Sequence, residues 1–500
     1  MSSNSFNTIG SGGIVNYDEV KETIGDQSEG GWTIHQFQFF GNTVGEVDAS
    51  WRRGLPKQVK TYNSAGTLQS GIFYRMTNTM DGQFTGRTAA HAGTHPCAEA
   101  GNRDTDFDQF PSRFSQLIYD FPIDWIHMDT VIKNDYTTGM TSISATHYDN
   151  PQHKLATRST TFNSDGTKVT NFTKYPTDFS FSGIANSDEA QALKLLQDKH
   201  IHNVPIEQYS QKWAPGGGAP LTIGGRFTEF RTAGTGDDIV LMAGQHGLEL
   251  PVGISDFQPS YVSGNVVSKD SRYVLKGTVR EYDKRTNLVA LYSDGGRSKS
   301  YVWGYNQTLP IAVLDNNSQN RNMAFTSFES DAPGNWTFNT SSVTTSEKLT
   351  GKRCLDLTQG SASVDFASSA ALVYGVFNPT LQGKYIVSYW RKSGSVTVNG
   401  TSPSLIGASS NGWTYCEHVL INPPNVSVNG NTKIDELRFY PAVSIMKSYT
   451  YEPLTGVTSA DSGNGIIVFY EYDAMGRLTI ERDVFGKILK QYTYQFQATE

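Results

Sequence analysis

A mostly β fold of antiparallel hairpins, carrying one inserted sandwich and one short helix, is predicted by three observations: repeated turns, alternating side chains and composition. Tyr470 to Tyr494 reads YEYDAMGRLTIERDVFGKILKQYTY, and the same turn chemistry occurs twice in it at a spacing of ten. Asp473-Ala474-Met475-Gly476 and Asp483-Val484-Phe485-Gly486 each place Asp at the start of a turn. Each ends on Gly, where a left-handed backbone costs little. Around these turns Val468, Tyr470 and Tyr472 share one face, then Leu478 and Ile480, then Ile488, Tyr492 and Tyr494. Composition agrees: 12% aromatic residues, 48 glycines, 25 tyrosines and 26 phenylalanines supply strand and turn formers.

A ten-residue unit leaves about six residues per strand, or roughly 20 Å of extended chain. Two such units cannot bury an aromatic face alone, so a longer array is expected, with this chain a piece of it. YDAMGRL with a second Asp and Gly ten residues on resembles the YD repeat of the Rhs family, whose members wrap such strands into hollow shells. The resemblance implies a curved or shell-like antiparallel sheet. Weaker copies stand earlier, at Tyr62-Asn63-Ser64-Ala65-Gly66, at Tyr148-Asp149 leading to Phe162-Asn163-Ser164-Asp165-Gly166, and at Tyr282-Asp283 followed by Asp294-Gly295-Gly296. WRRGLP (Trp51 to Pro56) and YVWGYNQTLPIA (Tyr301 to Ala312) resemble segments of long YD-repeat surface proteins of the Bacteroidetes type. Residues 1–321 are therefore expected to be diverged YD-repeat sheet.

One segment breaks the strand pattern. Asn186-Ser187-Asp188-Glu189 offers a helix cap, and Ala190, Leu193, Leu196 and Ile201 recur at helical spacing until Pro205. A short amphipathic helix packed on its own sheet is expected.

Residues 322–446 have another texture: short alternating strands parted by Gly, Ser, Asn and Pro clusters, as in a β-sandwich. FTSFE with Asn335-Trp336, YIVSYW (Tyr385 to Trp390), GWTY (Gly412 to Tyr415) and IDELRFYP (Ile434 to Pro441) resemble, in that order, jelly-roll carbohydrate-binding modules. Tyr449-Thr450-Tyr451-Glu452-Pro453 then returns to repeat chemistry, so the module is expected as an insertion and 447–500 as the resumed array. The resemblance implies a structural calcium held by an acid near the first strand and another near the last, positions matched by Glu329 and Asp435; the alternative is a pair of hydrogen-bonded strand-end carboxylates. It also implies glycan binding on exposed rings, for which Trp336, Trp390, Trp413 and Tyr415 are the candidates, although Trp413 and Tyr415 share a face suited to the core.

Catalytic patterns are weak. HAGTHPC gathers His91, His95 and Cys97 without a second cluster, and reads as a loop. His200 and His202 point apart. Asp124 and Asp129 beside His127 could serve as acid and base, but DWIHMD is more simply a strand with a buried Trp125. No nucleophile elbow, phosphate loop or HExxH occurs, and no enzyme is expected. Cys354 and Cys416 either pair or stay as buried free thiols. A net charge of −7 over 500 residues gives no nucleic-acid footprint. No apolar run is long enough for a membrane span.

The expected role is structural: part of a secreted or cell-surface YD-repeat protein, with the rest of a longer polypeptide and a glycan as partners. An adhesin and an encapsulating carrier for cargo outside this chain are the alternatives. The Rhs toxins' self-cleaving DPxGxxD motif is absent from this sequence, and an export signal is not present in it.

Overall fold

In the computed structural model the described residues are 17–25, 29–38, 43–44, 47–48, 52–91, 114–183, 185–233, 239–295, 298–316, 322–329, 333–364, 372–374 and 381–494. They are mostly β, as the sequence predicts, with one α-helix among them. Most of HAGTHPC, including His95 and Cys97, lies outside the described residues.

The chain divides into two compact units. The first comprises Met1–Asp178, His202–Gly225 and Leu250–Pro259. In it the strands Trp32–Gln38, Leu55–Tyr62, Leu68–His91, Phe114–Asp135, Met140–His147, Arg158–Phe162, Lys168–Lys174 and Glu207–Trp213 each pair antiparallel with the next. Leu68–His91 and Phe114–Asp135 make a long ribbon, broken by bulges between Arg75 and Met76 and between Met80 and Gly82. Trp125 stands on this ribbon, where it stacks on His127 with centroids 4.0 Å apart and is only half-buried. Asp124 and Asp129 do not converge. Asp124 is clamped by Arg52, with Nη2 donating at 2.7 Å, whereas Asp129 accepts from Arg75 and Thr77.

The second unit comprises Phe179–Ile201, Arg226–Glu249 and Ser260–Glu500. Its helix, Asp188–Asp198, starts at Ser187, whose Oγ accepts from the Ala190 amide at 3.2 Å. It stops earlier than Pro205 requires. His200 takes a left-handed φ of +56°, its N–H bonds to Gln197 O, and Ile201 N–H reaches back to Leu196 O. That is a Schellman closure. Ala190, Leu193 and Leu196 are buried, but Ile201 falls beyond the closure and is 39% exposed.

Antiparallel strands Val240–Leu248, Tyr273–Asp283, Leu288–Ser293, Ser298–Gly304 and Leu309–Asp315 follow in a meander. Leu309–Asp315 then pairs directly with Ile445–Glu452, in the register Asp315↔Ile445 and Ala312↔Ser448. The meander resumes through Gly456–Asp461, Ile467–Tyr472, Leu478–Asp483 and Ile488–Gln491.

One turn recurs through both units. Oδ1 of Asn63, Asp283, Asp473 and Asp483 each accepts two backbone amides, two and four residues on. The fourth residue is left-handed: Gly66 (φ +81°), Gly476 (+73°) and Gly486 (+85°), but Thr286 (+65°) in the copy at Asp283. A β-branched residue there bears strain that Gly avoids.

Between Asp315 and Ile445 the chain folds a two-sheet sandwich. One sheet orders Val343–Thr344, Cys354–Asp356, Lys433–Pro441, Lys384–Arg391, Trp413–Ile421 and Leu405–Ser410, with Ala324–Thr326 also on Lys433–Pro441. The other orders Trp336–Phe338, Ala362–Val364, Ser427–Gly430 and Val396–Val398. Their inner faces meet in a core that includes Phe328, Trp336, Leu355, Tyr389, Val428 and Phe439. Leu372–Tyr374 leaves this sandwich and pairs with the end of Tyr273–Asp283.

Candidate functional site

Strand Lys433–Pro441 carries the chemistry. Opposite it, Ser388 pairs with Arg438 and Trp390 with Asp435, so one residue faces two and the strand bulges. Glu436 absorbs the extra residue with a left-handed φ of +53°. The bulge shifts the side-chain phase. Ile434 lies in the sandwich core, and so do Leu437 and Phe439, while Arg438 and Tyr440 turn to the opposite face. Strict alternation from Ile434 would have put Arg438 inside.

On that opposite face Arg438 is fully buried and meets groups from the resumed meander. Its Nη2 donates to Glu436 Oε2 at 2.9 Å, to Ser448 Oγ at 2.7 Å and to Asp461 Oδ2 at 2.6 Å. Ser448 Oγ donates in turn to Glu436 Oε2 at 2.9 Å, Thr350 Oγ1 to Glu436 Oε1 at 2.9 Å, and the Gly463 amide to Asp461 Oδ1 at 2.7 Å. The guanidinium lies 5.8 Å from the centre of the Phe325 ring. Burial works against its charge, but Asp461 and Glu436 outweigh it and hold the group above the usual arginine range. Nε and Nη1 meet no acceptor among the described residues.

The two residues expected to hold calcium flank this node. Asp435 Oδ2 accepts the amides of Leu349 and Thr350 at 2.9 and 3.0 Å, and Oδ1 accepts the Glu436 amide at 2.8 Å. Burial, then the neighbouring Glu436, pushes its carboxyl well above the ordinary range. Glu329 Oε1 accepts the amides of Lys352, at 2.6 Å, and Arg353. Burial raises it, and those amides partly offset the rise. Gly351, at φ +55°, lets the loop close: a Cβ there would lie 2.3 Å from Glu329 Cδ. Both carboxylates thus face N–H dipoles, which attract anions and repel cations. Among the described residues no three His, Cys, Asp or Glu side chains form a metal-binding group. The arrangement fits amide-bonded strand-end carboxylates and does not fit a calcium cage.

The four rings expected to stack on sugar are core residues. Trp336, Trp390, Trp413 and Tyr415 expose 1%, 1%, 2% and 5% of their surface. Trp336 packs inside the sandwich, and the other three join Cys354, Ile467 and Val484 in a cluster shared with the resumed strands. Tyr415 is pinned, since a Cβ on Gly465 would lie 2.9 Å from its ring. None presents an open face to a pyranose. Their burial corrects the expectation of exposed rings: the sandwich core encloses Trp336, and the resumed meander covers the face that carries Trp390, Trp413 and Tyr415.

Cys354 and Cys416 are both free and buried. Burial pushes the Cys354 thiol up to about 12, so it is inert at neutral pH.

Two cavities lie in the second unit. One of about 600 Å³ is lined by loop residues Glu329, Lys348, Gly351 and Arg353 together with Tyr305, Tyr451, Phe469 and Arg482. Lys352 there pairs with Glu452 at 2.5 Å. The other, about 360 Å³, lies beside Trp390, Gly407, Tyr415, Glu417 and Gly465.

No familiar sequence motif joins Arg438, Glu436, Ser448 and Asp461. The signal was present in Asp435-Glu436-Leu437-Arg438: two acids and a base inside a strand that runs on into Phe439-Tyr440.

Fold and site together define a mostly β protein in which repeat hairpins and a sandwich share a buried ionic core. No family model and no curated protein matches the chain. Among solved structures, the TcdB2-TccC3 crystal structure is similar at 8% identity and a TM-score of 0.23, covering 91% of this chain and 32% of its own. TcdB2-TccC3-Cdc42 is similar at 9% identity and a TM-score of 0.28, covering 93% of this chain and 26% of that one. A porin-like protein from Bacteroides uniformis reaches 11% identity and a TM-score of 0.14, over 61% of this chain and 92% of that one. The chain thus spans about a third or less of the TcdB2-TccC3 structures, and likeness at these TM-scores carries no argument about function.

Proposed function

We propose that this chain is a non-catalytic scaffold segment of a larger secreted or cell-surface YD-repeat protein, in which the inserted sandwich is a rigid part of the wall rather than a tethered binding head. The observation that carries this reading is the Arg438 node, where one guanidinium from the sandwich is held by Ser448 and Asp461 of the two strands that follow it. An interface built on desolvated charge is costly to open, because separation takes Asp461 and Ser448 from Arg438 and leaves the Asp461 carboxylate without its counter-charge. A binding head on a free linker needs no such core. A shell enclosing cargo is a finer form of the same reading, consistent with the Rhs-like turn at Asp473 and Asp483.

The test is calorimetry of the chain with and without Arg438→Met. A welded insert melts with the resumed meander in one transition, and the substitution lowers that transition as a whole. Two separated transitions, with only one moved by the substitution, would sink the proposal and favour a tethered adhesin module. A glycan array probed with the intact chain separates the readings further: specific binding abolished by a change at the rim of the 600 Å³ cavity would restore the adhesin.

A further inference from the structure

Glu189 occupies the first turn of the helix Asp188–Asp198, between exposed Asp188 and fully buried Ala190. Its Oε1 is closed off from solvent and meets no hydrogen-bond donor among the described residues. The helix packs on the strands Val240–Leu248 and Val266–Ser268. Charged groups face the carboxyl from around that seat: the Lys269 ammonium favours its ionised form, and the Glu229 carboxylate opposes it. Both are themselves engaged. Lys269 Nζ lies 4.9 Å from the centre of the Phe227 ring, and Glu229 Oε2 is 2.8 Å from His246 Nε2. The lead-in to the helix is tied separately, by Ser182 and Gly183 amides donating to Asn265 Oδ1 at 3.1 and 3.2 Å and by the Asn186 amide donating to Asn265 O at 3.1 Å.

We propose that the docking of this helix is proton-linked through Glu189: the helix is seated while the carboxyl keeps its proton and loosens when the carboxyl ionises, swinging from the anchor at Asn265. The seat offers Oε1 of an ionised carboxylate no hydrogen-bond donor among the described residues and sets the Glu229 carboxylate near it, so ionisation there is opposed on two counts. Burial, against the pull of Lys269, pushes Glu189 up to about 7, whereas a solvated Glu ionises near ~4.3. The folded value is raised, so the contribution to docking is complete below the solvated value and is lost as pH rises through the folded one. Across pH 6 to 8 that linkage loosens the helix by about tenfold.

Hydrogen exchange of the helix amides, corrected for the intrinsic pH dependence of exchange, reads this directly. The expected result is a loss of protection of about tenfold from pH 6 to 8 in the wild-type chain and none in Glu189→Gln. Glu229→Gln should move the midpoint to lower pH, and Lys269→Met should move it to higher pH. Equal protection at both pH values in the wild-type chain, or the same loss in Glu189→Gln, overturns the proposal. If Glu189→Gln does not fold, a carboxyl-carbon NMR titration of wild-type Glu189 decides: a midpoint below pH 5, roughly the solvated range, also overturns it.

Discussion

Arg438 and Asp461 meet at 2.6 Å with side chains only 2% and 1% exposed, a fully desolvated ion pair between the last strand of the sandwich and the second strand after it. Such a pair is worth little against a well-packed apolar replacement, yet it is expensive to break on one side.

Arg438→Met is therefore expected to destabilise the second unit by about 3–5 kcal/mol, because Glu436 and Asp461 lose their shared counter-charge. Adding Asp461→Asn to it should cost less than the sum of the two single changes. Urea unfolding of the four chains gives the coupling. Additive effects would mean that the two residues do not act together.

The turn at Asp283 differs from its relatives at one residue. Thr286 holds φ +65°, where Gly66, Gly476 and Gly486 stand in the other copies. Thr286→Gly should relieve left-handed strain and stabilise by about 1 kcal/mol, and Gly476→Ala should destabilise by a similar amount. A melting temperature that falls for Thr286→Gly would contradict the turn geometry.

His418 is buried, with Nε2 2.8 Å from the Tyr389 hydroxyl, and burial lowers it to about 4. Its folded value lies below the unfolded one, so the unfolded chain takes up the proton first and stability falls as pH drops from about 6.5 towards 4. The loss from this group is of the order of 3 kcal/mol. Denaturant titrations at pH 7 and pH 4.5 should show a smaller difference for His418→Gln than for the wild-type chain. An equal difference would remove the histidine from the acid response.

Calcium should leave the chain unaffected. Glu329 and Asp435 already accept amide N–H groups, so melting in millimolar calcium and in EDTA is expected to agree to within about 1 °C. A ligand present at a hundred times its Kd would add roughly 2.7 kcal/mol, which is readily seen. A rise of that size would show that the loop at 348–353 rearranges around a cation.

The fold was legible wherever the chemistry is local. Asp473 and Asp483 accept amides two and four residues on, and Gly476 and Gly486 take the left-handed turn, so residue type alone determined those hairpins. The helix start at Ser187 was equally local. Its end was not, because His200 closes it where a sequence pattern reads on to Ile201. The site was illegible for a related reason. Exposure of Trp390, Trp413 and Tyr415 depends on which strands cover them, and phase within Lys433–Pro441 depends on one bulged residue, Glu436. Neither can be read from alternation along a single strand.

Asp315 and Ile445 are partners across one strand spacing, so the polypeptide leaves the meander and re-enters it through a gap no wider than an ordinary hairpin needs. Sequence length between those two points hardly burdens the parent sheet, since closure is set by the hydrogen-bonded pair and not by what hangs beyond it. In engineering terms the pair is a docking port. A domain whose ends lie about 5 Å apart fits the same place, provided it brings a counter-charge to Asp461 and a strand to the edge at Tyr282, as Arg438 and Leu372–Tyr374 do here.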